Sequence, residues 1–332
     1  MKRIVVLIAG LAMIAAACSA GAADRSMTLY SGRSEDLVQP LIDAFTKETG
    51  ISVTVKYAGS TDLATTILEE GDASPADVFF GQDPASLGTV ALSGLFDVLP
   101  SDIIDSVPAR FSDDEGRWVG TSGRARVAVY DSTLVAPNEM PTTEDGFGSS
   151  EWNGRVGIAP SNGSFLAFVA AKILIDGEAK TRTWLEAMAA NDAQKYPNNS
   201  AIVAAVNAGE IEAGLVNHYY LLRALAENPD DVGANFFFPA PTAGSLVMPA
   251  GAGVLSSSDH KDEAIEFIKW LLTAESQTYF AQETFEYPLV PGIPASAVLP
   301  AIDSIPTPDL NLSDLATVLD LATDLVAKAG LL

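Results

Sequence analysis

The chain has 332 residues. A single hydrophobic core is usually found in shorter chains, so the length predicts two lobes or domains. Its 43 acidic and 19 basic residues give a formal net charge of −24, which argues against nucleic-acid binding because phosphate contacts need clustered lysine and arginine. One cysteine and two histidines, His218 and His260, exclude an intrachain disulfide, a cysteine-built zinc site and a histidine-rich metal site.

The N-terminus has the pattern of an export signal. Basic residues precede an uncharged apolar run over 4–17, which is short for a bilayer span and predicts a signal peptide over 1–17. Cys18 follows directly, and the stretch from Ala15 resembles a bacterial lipobox, so we expect lipidation of Cys18. The alternative is ordinary cleavage at the small residues 20–22. Lipidation would anchor the protein on the outer face of the cytoplasmic membrane.

Strand and helix patterns alternate at the start of the mature chain. Alternating side chains predict strands over 27–31 and 51–57, and a short apolar run predicts a buried strand over 77–80. Apolar faces predict helices over 35–47 and 63–70. This order predicts an α/β domain with a largely parallel sheet.

The same alternation returns in the rest of the chain. A repeated apolar spacing from Leu312 to Val326 predicts a final amphipathic helix. No long low-complexity linker separates the halves, so two α/β lobes joined by crossing strands are expected, with ligands at the carboxyl ends of strands. The predicted strands are 126–130, 156–159, 214–216 and 247–255, and the predicted helices are 164–175, 181–190, 201–208, 219–227, 261–272 and 276–282.

Motifs for an enzyme are missing from the sequence. It has no G-x-S-x-G, no H-E-x-x-H, no phosphate-binding loop and no dinucleotide-binding glycine fingerprint. Acidic pairs such as Glu69-Glu70 are typical of solvated surface. A secreted hydrolase therefore has no positive support, although a sequence does not show whether two carboxylates face each other.

A pair of tyrosines, Tyr219 and Tyr220, follows an apolar strand and opens a helix. One interpretation is an aromatic pair packed in the core. The other is that both phenols face a cleft and coordinate a hard cation, since a nearby trivalent ion favours the phenolate form. Fe(III) is the obvious candidate for such an ion.

A polar turn that contains Gly163 opens the helix predicted from Ser164. Free backbone N–H groups at a helix N-terminus bind anions, and a glycine permits close approach. The simpler interpretation is that Asn162 or Ser164 caps the helix, and that Asn199 or Ser200 caps a later one.

Two arginines mark the entry to the strand predicted over 126–130: Arg124 precedes it and Arg126 begins it. They are able to hold an anion or to form ion pairs between the lobes. An exposed surface pair is the simplest expectation.

Several segments in one order resemble the bacterial ferric-ion-binding proteins of iron ABC transporters, over about 27–331. The resemblance implies a two-lobed periplasmic-binding-protein-like α/β fold of the type II, "Venus flytrap" kind. The matching segments are Leu29-Tyr30-Ser31-Gly32, Leu68-Glu69-Glu70-Gly71-Asp72, Pro75-Ala76-Asp77-Val78-Phe79-Phe80, Ser122-Gly123-Arg124, Val129-Tyr130-Asp131, Gly163-Ser164-Phe165-Leu166, Asn217-His218-Tyr219-Tyr220 and Glu286-Tyr287-Pro288-Leu289.

The fold of that family implies where each lobe lies in the chain. The N-terminal lobe would hold residues 27–125 and 247–297. The C-terminal lobe would hold residues 126–246 and 298–332. Two hinge strands would then cross near residues 125 and 247, and closure would follow from the ligand's preference for the closed state.

The resemblance also implies the roles of individual residues. Tyr219 and Tyr220 match the paired tyrosine ligands of Fe(III), and Arg124 matches an arginine near the iron. A synergistic anion, phosphate or carbonate, would fill the remaining iron positions. The positions that match its binding residues are Asn162, Gly163, Ser164, Asn199 and Asn217.

The first lobe departs from the family pattern. Ser34 stands where well-known members carry a histidine ligand, and Gln82, with Asp83 beside it, stands where they carry a glutamate. Phe165 replaces a tyrosine of other subtypes, and His218 corresponds to a non-ligand position. This lobe is therefore expected to supply weaker ligands, water or a nearby group such as Asp83.

The function implied by the resemblance is capture and delivery, not catalysis. A monomeric binding protein, in contact with the membrane only through its lipid anchor, would carry Fe(III) to an ABC permease and its ATPase. Two alternatives stay open: a binding protein for a small anion such as phosphate or a sugar phosphate, and a secreted hydrolase.

Overall fold

The computed structural model describes residues 25–332, so the signal-peptide and Cys18 predictions concern residues outside this range. No helix within 25–332 is long and apolar enough to cross a membrane. The strands are β1 (Ser26–Ser31), β2 (Ser52–Tyr57), β3 (Val78–Gly81), β4 (Val119–Asp131), β5 (Val156–Ile158), β6 (Gln194–Lys195), β7 (Ala213–Asn217), β8 (Gly233–Phe236), β9 (Val247–Val254) and β10 (Tyr287–Pro288).

Helices lie between most of the strands, and short 3-10 segments join them. The α-helices are α1 (Glu35–Thr49), α2 (Ser60–Glu70), α3 (Pro84–Leu92), α4 (Ser101–Ile104), α5 (Gly163–Asp176), α6 (Glu178–Ala190), α7 (Asn199–Asn207), α8 (Tyr219–Glu227), α9 (Lys261–Leu271), α10 (Ala274–Gln282) and α11 (Leu319–Lys328). The 3-10 segments are Gly71–Ala73, Ala109–Phe111, Glu144–Gly148, Ser150–Trp152, Ala243–Ser245, Ile302–Ser304 and Leu312–Val318.

One continuous path of strands runs in the order β2-β1-β3-β9-β4-β7-β5-β6, with β8 and β10 also paired to β4. The pairs β1–β2, β1–β3, β5–β6 and β5–β7 are parallel. The strands β9 and β4 pair antiparallel to their neighbours. The sheet is therefore parallel at both outer parts, as predicted for the first, but antiparallel where the two parts meet.

Strand β4 differs most from the sequence-based prediction, because it begins at Val119 and not at residue 126. Its first part pairs with β9 up to Ala125, opposite Val247. From Arg126 onward it pairs with β7. Small residues and arginines fill the first part, so no apolar alternation marked it as a strand.

Each predicted helix has a counterpart in the structure, whereas α3 and α4 lie outside the predictions. Helix α1 buries one apolar face and ends at Gly50, whose φ of 73° and N–H bond to the Thr46 carbonyl stop the helix. The predicted tail helix is split, since Leu312–Val318 forms a 3-10 segment before α11 begins at Leu319. That segment contacts α3, which follows β3, and α5, which follows β5. It therefore packs on helices from both parallel parts of the sheet.

Candidate functional site

A cleft of about 510 Å³ lies at the carboxyl ends of the parallel strands. The segments after β1 and β2 and residue Gln82 after β3 line one side. Asn162, Asn198, Ser200 and Tyr220 line the other side. Side chains from both parts of the sheet therefore surround this space.

The two tyrosines begin helix α8, and only His218 separates them from β7. Their rings stack with centroids 4.1 Å apart and an interplanar angle of 28°. Tyr219 is fully buried, whereas Tyr220 is half-buried and lines the cleft. The Tyr219 hydroxyl has no hydrogen-bond partner among the described residues, which is unusual because buried polar groups are normally bonded.

The electrostatic surroundings of Tyr219 favour a neutral phenol. Burial raises its pKa well above the usual value, and Tyr220 adds to this, while the guanidinium groups of Arg33 and Arg124 oppose it. A highly charged cation would reverse this balance by favouring the phenolate. The Tyr219 phenol is therefore expected to lose its proton only when a highly charged cation binds to its oxygen.

A buried ion pair, absent from the sequence-based predictions, stands beside the tyrosines. Arg33 Nη2 donates to both carboxylate oxygens of Glu286, at 2.8 and 2.7 Å, and both side chains are buried. The Arg33 guanidinium carbon lies 5.9 Å from the Tyr219 ring centroid. A single arginine in a polar loop has no local feature that predicts burial. The burial of Arg33 is therefore evident only from its contact with Glu286 in the folded chain.

Arg124 and Arg126 are 0 and 2% exposed, so the expectation of an exposed surface pair is wrong. Both point to the same side of β4. Arg124 Nη1 donates to Ser164 Oγ at 3.1 Å, and Arg126 Nη1 donates to Asn217 Oδ1 at 3.4 Å. Burial lowers the pKa of Arg126 to about 9, and repulsion from Arg124 adds to the effect.

Most of the predicted anion-binding side chains meet at the N-terminus of α5. Asn162 caps the helix by accepting from Ser164 N at 3.0 Å. Asn199 Nδ2 donates to Asn162 Oδ1 at 3.3 Å, and Asn217 Nδ2 donates to Ser164 Oγ at 3.3 Å. Together with Gly163, these residues form one polar cluster from three separate segments.

The N-cap of α7 lies one residue before the predicted position. Asn198, and not Asn199 or Ser200, caps α7 by accepting from Ala201 N at 2.9 Å. The Asn199 side chain is thereby free to reach Asn162. Helix-cap rules alone did not separate two adjacent asparagines, because either one suits the position.

The three predicted first-lobe residues have different surroundings. Ser34 and Gln82 line the cleft, and the Ser34 side chain makes no capping bond to α1. Asp83 is fully buried and caps α3, accepting from Ser86 N at 2.8 Å and from Ser86 Oγ at 3.1 Å. Burial raises the pKa of Asp83 although these bonds and Arg124 oppose the change.

Asp83 also approaches the anion-binding cluster across the cleft. A side chain at Gly163 would place its Cβ 2.9 Å from Asp83 Oδ2 and 3.3 Å from Thr61 Oγ1. The ion pair between Arg223 and Asp36, at 2.7 Å, also joins α8 to α1. The two sides of the cleft are therefore in direct contact.

Hard oxygen donors dominate this site. Two phenols, the Gln82 amide and the Ser34 hydroxyl suit a hard cation. The α5 N-terminus and the buried arginines suit an anion. The arrangement is therefore able to hold a hard metal ion together with an anion.

A second grouping of possible metal ligands lies elsewhere. Glu144, Asp145 and Asp176 could together hold an ion, but Lys172 Nζ lies 3.0, 2.6 and 2.7 Å from their oxygens. The ammonium group already satisfies these carboxylates, so the grouping is best understood as a structural ion cluster.

Comparison with known proteins assigns the family. The family of bacterial extracellular solute-binding proteins matches residues 31–278. The chain belongs to that family. The two-lobed α/β fold predicted from the sequence is confirmed, and so is the assignment to the ferric-binding members of this family.

Individual solute-binding proteins match nearly the whole chain. The Fe(3+)-binding periplasmic protein of Serratia marcescens is 32% identical over 332 residues, covering 99% of this chain and 97% of that protein. The structure of iron-bound HitA from Pseudomonas aeruginosa has a TM-score of 0.88 and 31% identity, covering 92% of this chain and 99% of HitA. The Trichodesmium protein IdiA (FutA) with iron and citrate ligands has a TM-score of 0.78 and 31% identity, covering 92% and 100%.

Proposed function

We propose that the protein captures Fe(III) in the cleft through Tyr219 and Tyr220, together with a synergistic anion. The observation that carries this proposal is the stacked tyrosine pair beside the cleft, with the buried Tyr219 hydroxyl unbonded. Two phenolates neutralise part of the charge of a trivalent ion. The similar proteins of Serratia marcescens and Pseudomonas aeruginosa bind iron according to their names.

The anion is proposed to bind at the N-terminus of α5, through Asn162, Gly163, Ser164, Asn199 and Asn217, with Arg124 beside them. Arg124 and Arg126 form no ion pair with a carboxylate within the described residues. Buried charges without counter-charges are costly, so an anion would compensate them. Phosphate and carbonate are the proposed anions, and citrate is a further candidate because it accompanies iron in the Trichodesmium structure.

The N-terminal lobe is proposed to contribute little direct coordination. Ser34 and Gln82 offer only neutral oxygens, and Asp83 is fully buried and already accepts two bonds from Ser86. Anion oxygens or water would complete the coordination of the ion.

The lobes are proposed to comprise residues 27–125 with 247–297, and residues 126–246 with 298–332. The change of β4 partners between Ala125 and Arg126 supports this boundary. Packing of α11 on α5 and α6 supports placing the tail in the second lobe. The hinge would lie where β4 and β9 cross from one lobe to the other.

Membership of the family implies an extracytoplasmic protein that works with an ABC importer. We further propose a monomer that is held to the membrane by a lipid on Cys18, docks on a permease and has no catalytic activity. Release would then be driven by the ATPase of the importer. Labelling with a radioactive fatty acid, in the wild type and in Cys18→Ser, tests the anchor.

A visible absorption spectrum after iron removal and ferric reloading tests the main proposal. A broad phenolate-to-iron charge-transfer band is expected in the wild type and in Tyr196→Phe, a tyrosine that does not line the cleft. The band should disappear in Tyr219→Phe/Tyr220→Phe. Phosphate, carbonate and citrate should each be added to the iron-loaded wild type. The anion that binds should shift the position or intensity of the band.

Two results would contradict iron capture. Absence of both the band and stoichiometric iron would leave a small-anion carrier as the leading function. Turnover of an ester or glycoside substrate would favour the hydrolase. In the second case, a binding protein is excluded because it gives stoichiometric binding without turnover.

A further inference from the structure

His218 lies between the tyrosine pair and a loop that precedes β10, and both of its ring nitrogens are hydrogen-bonded. Ala125 N donates to His218 Nδ1 at 3.1 Å, and His218 Nε2 lies 2.8 Å from the Phe285 carbonyl oxygen. A backbone N–H only donates and a carbonyl only accepts. The imidazole is therefore neutral, with its proton on Nε2, and neither nitrogen is free for a metal ion.

The backbone at Ala125 strengthens this connection. His218 N donates to the Ala125 carbonyl at 3.0 Å, so the two residues exchange a backbone bond as well as a side-chain bond. Ala125 is the point where β4 ends its pairing with β9. His218, the residue before Tyr219, is therefore hydrogen-bonded to the position at which β4 changes its partner strand.

The loop on the other side of the imidazole is strained. Phe285 has a φ of 58°, a left-handed conformation that is uncommon for a residue other than glycine. Such a conformation persists only where neighbouring contacts enforce it. The bond from His218 to the Phe285 carbonyl is one such contact.

The residue after Phe285 is Glu286, which holds Arg33. Thr284 Oγ1 also donates to Glu286 Oε2 at 3.0 Å. Arg33 in turn faces the Tyr219 ring. The contacts therefore form a closed circuit from Tyr219 through His218, Phe285 and Glu286 to Arg33 and back to Tyr219.

We propose that His218 is a positioning residue for Fe(III) binding, which fixes the tyrosine pair against the Arg33–Glu286 pair through its bond to Phe285. This proposal rests on the proposed function, because it concerns the same site. The imidazole itself does not touch the ion. The bond from His218 to Phe285 joins residues of the two proposed lobes. Its loss would allow the tyrosines and the Arg33 side of the cleft to separate.

Two substitutions at His218 separate its two bonds. An asparagine places its side-chain oxygen near the position of Nδ1 and keeps the Ala125 bond, but it does not reach Phe285. A glutamine reaches the Phe285 carbonyl but loses the Ala125 bond. The measured quantity is the rate of Fe(III) loss to an excess of a strong chelator, followed by the charge-transfer band.

Loss of the bond from His218 to the Phe285 carbonyl, which joins the two proposed lobes, is expected to speed iron loss about tenfold in His218→Asn. His218→Gln should stay within about threefold of wild type, because it keeps the bond to Phe285 and loses only the bond to Ala125, which lies at the proposed hinge. The band should keep its wavelength in both variants, because both tyrosines remain ligands. His260→Asn, which changes an exposed histidine, is the matched control and should release iron at the wild-type rate.

Equal release rates in His218→Asn and His218→Gln would overturn the proposal, because both substitutions would then act only through general stability. Thermal midpoints of the iron-free variants show whether stability differs. If the wild type shows no charge-transfer band, the proposed function itself fails, and this outcome is distinct from a failure of His218 positioning.

A measurement on His218 in the wild-type protein tests the proposal even if the variants do not fold. In protein labelled with ¹⁵N-histidine and loaded with diamagnetic Ga(III), the His218 signal should show a neutral Nε2–H ring before and after loading. A large shift of either ring nitrogen on loading would mean direct coordination and would overturn the positioning role.

Discussion

The charges of the buried arginines are balanced unevenly around the cleft. Arg33 has Glu286 as a counter-charge. Arg124 and Arg126 bond only to neutral side chains and to a backbone carbonyl. Burial lowers the pKa of both residues, and repulsion from a neighbouring guanidinium adds to it. An anion bound beside Ser164 would therefore stabilise this part of the molecule.

Gly163 is predicted to be required for the contact between the two sides of the cleft. In Gly163→Ala, the new Cβ would lie 2.9 Å from Asp83 Oδ2 and 3.3 Å from Thr61 Oγ1, so the closed cleft would have to widen. Iron affinity is expected to fall by about tenfold or more, since about 1.4 kcal/mol of strain suffices for this change. Competition with a chelator measures it.

The same substitution in an Asp83→Ala background is the control. Removal of the nearest contact should make the effect of Gly163→Ala clearly smaller, as coupled neighbours show in a double-mutant cycle. Equal effects in the two backgrounds would mean that the added methyl group obstructs the anion and not the contact between the lobes.

At the scale of elements, β4 organises the site. It pairs with β9, β7, β8 and β10 along its length. The register shifts between Gly120 and Ser122, and a Cβ at Gly120 would lie only 2.5 Å from the Phe111 carbonyl oxygen. This strand carries Arg124 and Arg126 beneath the N-terminus of α5, so its path sets where the anion would bind.

The contact between α3 and the 3-10 segment 312–318 is predicted to depend on Gly88. A Cβ at this position would lie 2.7 Å from the Cβ of Ala316. Gly88→Ala should therefore destabilise the protein by about 1–3 kcal/mol, although a glycine-to-alanine change in a helix usually stabilises. The free energy of unfolding in urea measures the effect.

Two variants serve as controls for Gly88. Ala316→Gly removes the opposing methyl group and should recover most of the loss in the double variant. Leu92→Ala lies on the same helix but at an exposed position, and it should change stability by less than about 0.5 kcal/mol. A stable Gly88→Ala protein would show that the segment moves aside without cost.

At the scale of the whole molecule, the largest core cluster includes residues of both proposed lobes. Smaller clusters lie within each lobe. The cleft is bounded by contacts such as Arg223–Asp36, which is partly exposed and therefore weak. The smaller clusters favour lobes that are rigid internally, the large shared cluster holds the lobes together, and the weak contacts at the cleft are ones that a ligand is able to stabilise.

Iron with phosphate is predicted to raise the midpoint of thermal unfolding. A ligand that binds only the folded state and is present at 1,000 times its Kd adds about 4 kcal/mol. Phosphate alone should raise the midpoint less than iron with phosphate. Tyr219→Phe/Tyr220→Phe should show only the effect of phosphate.

An equal rise in the double variant would place the iron outside the tyrosine site. The carboxylate cluster around Lys172 is then the first place to examine, and Glu144→Gln would test it. No rise in the wild type would contradict iron binding to the folded protein.

Local sequence patterns determined much of the fold. Helix α1 and its end at Gly50, the strand that leads to the tyrosines, and the cap at Asn162 all follow from rules that act over a few residues. The family resemblance pointed to Tyr219, Tyr220 and the α5 N-terminus as the site. These predictions needed no knowledge of distant contacts.

Only the tertiary structure decided the environment of the charged and titratable groups. Arg33 and Glu286 are 253 positions apart in the sequence, yet they form a buried pair. The burial of Arg124 and the bonds of His218 also depend on residues remote in sequence. The reason is that desolvation and pairing are set by the neighbours in space, whereas propensity and capping are set by the neighbours in the chain.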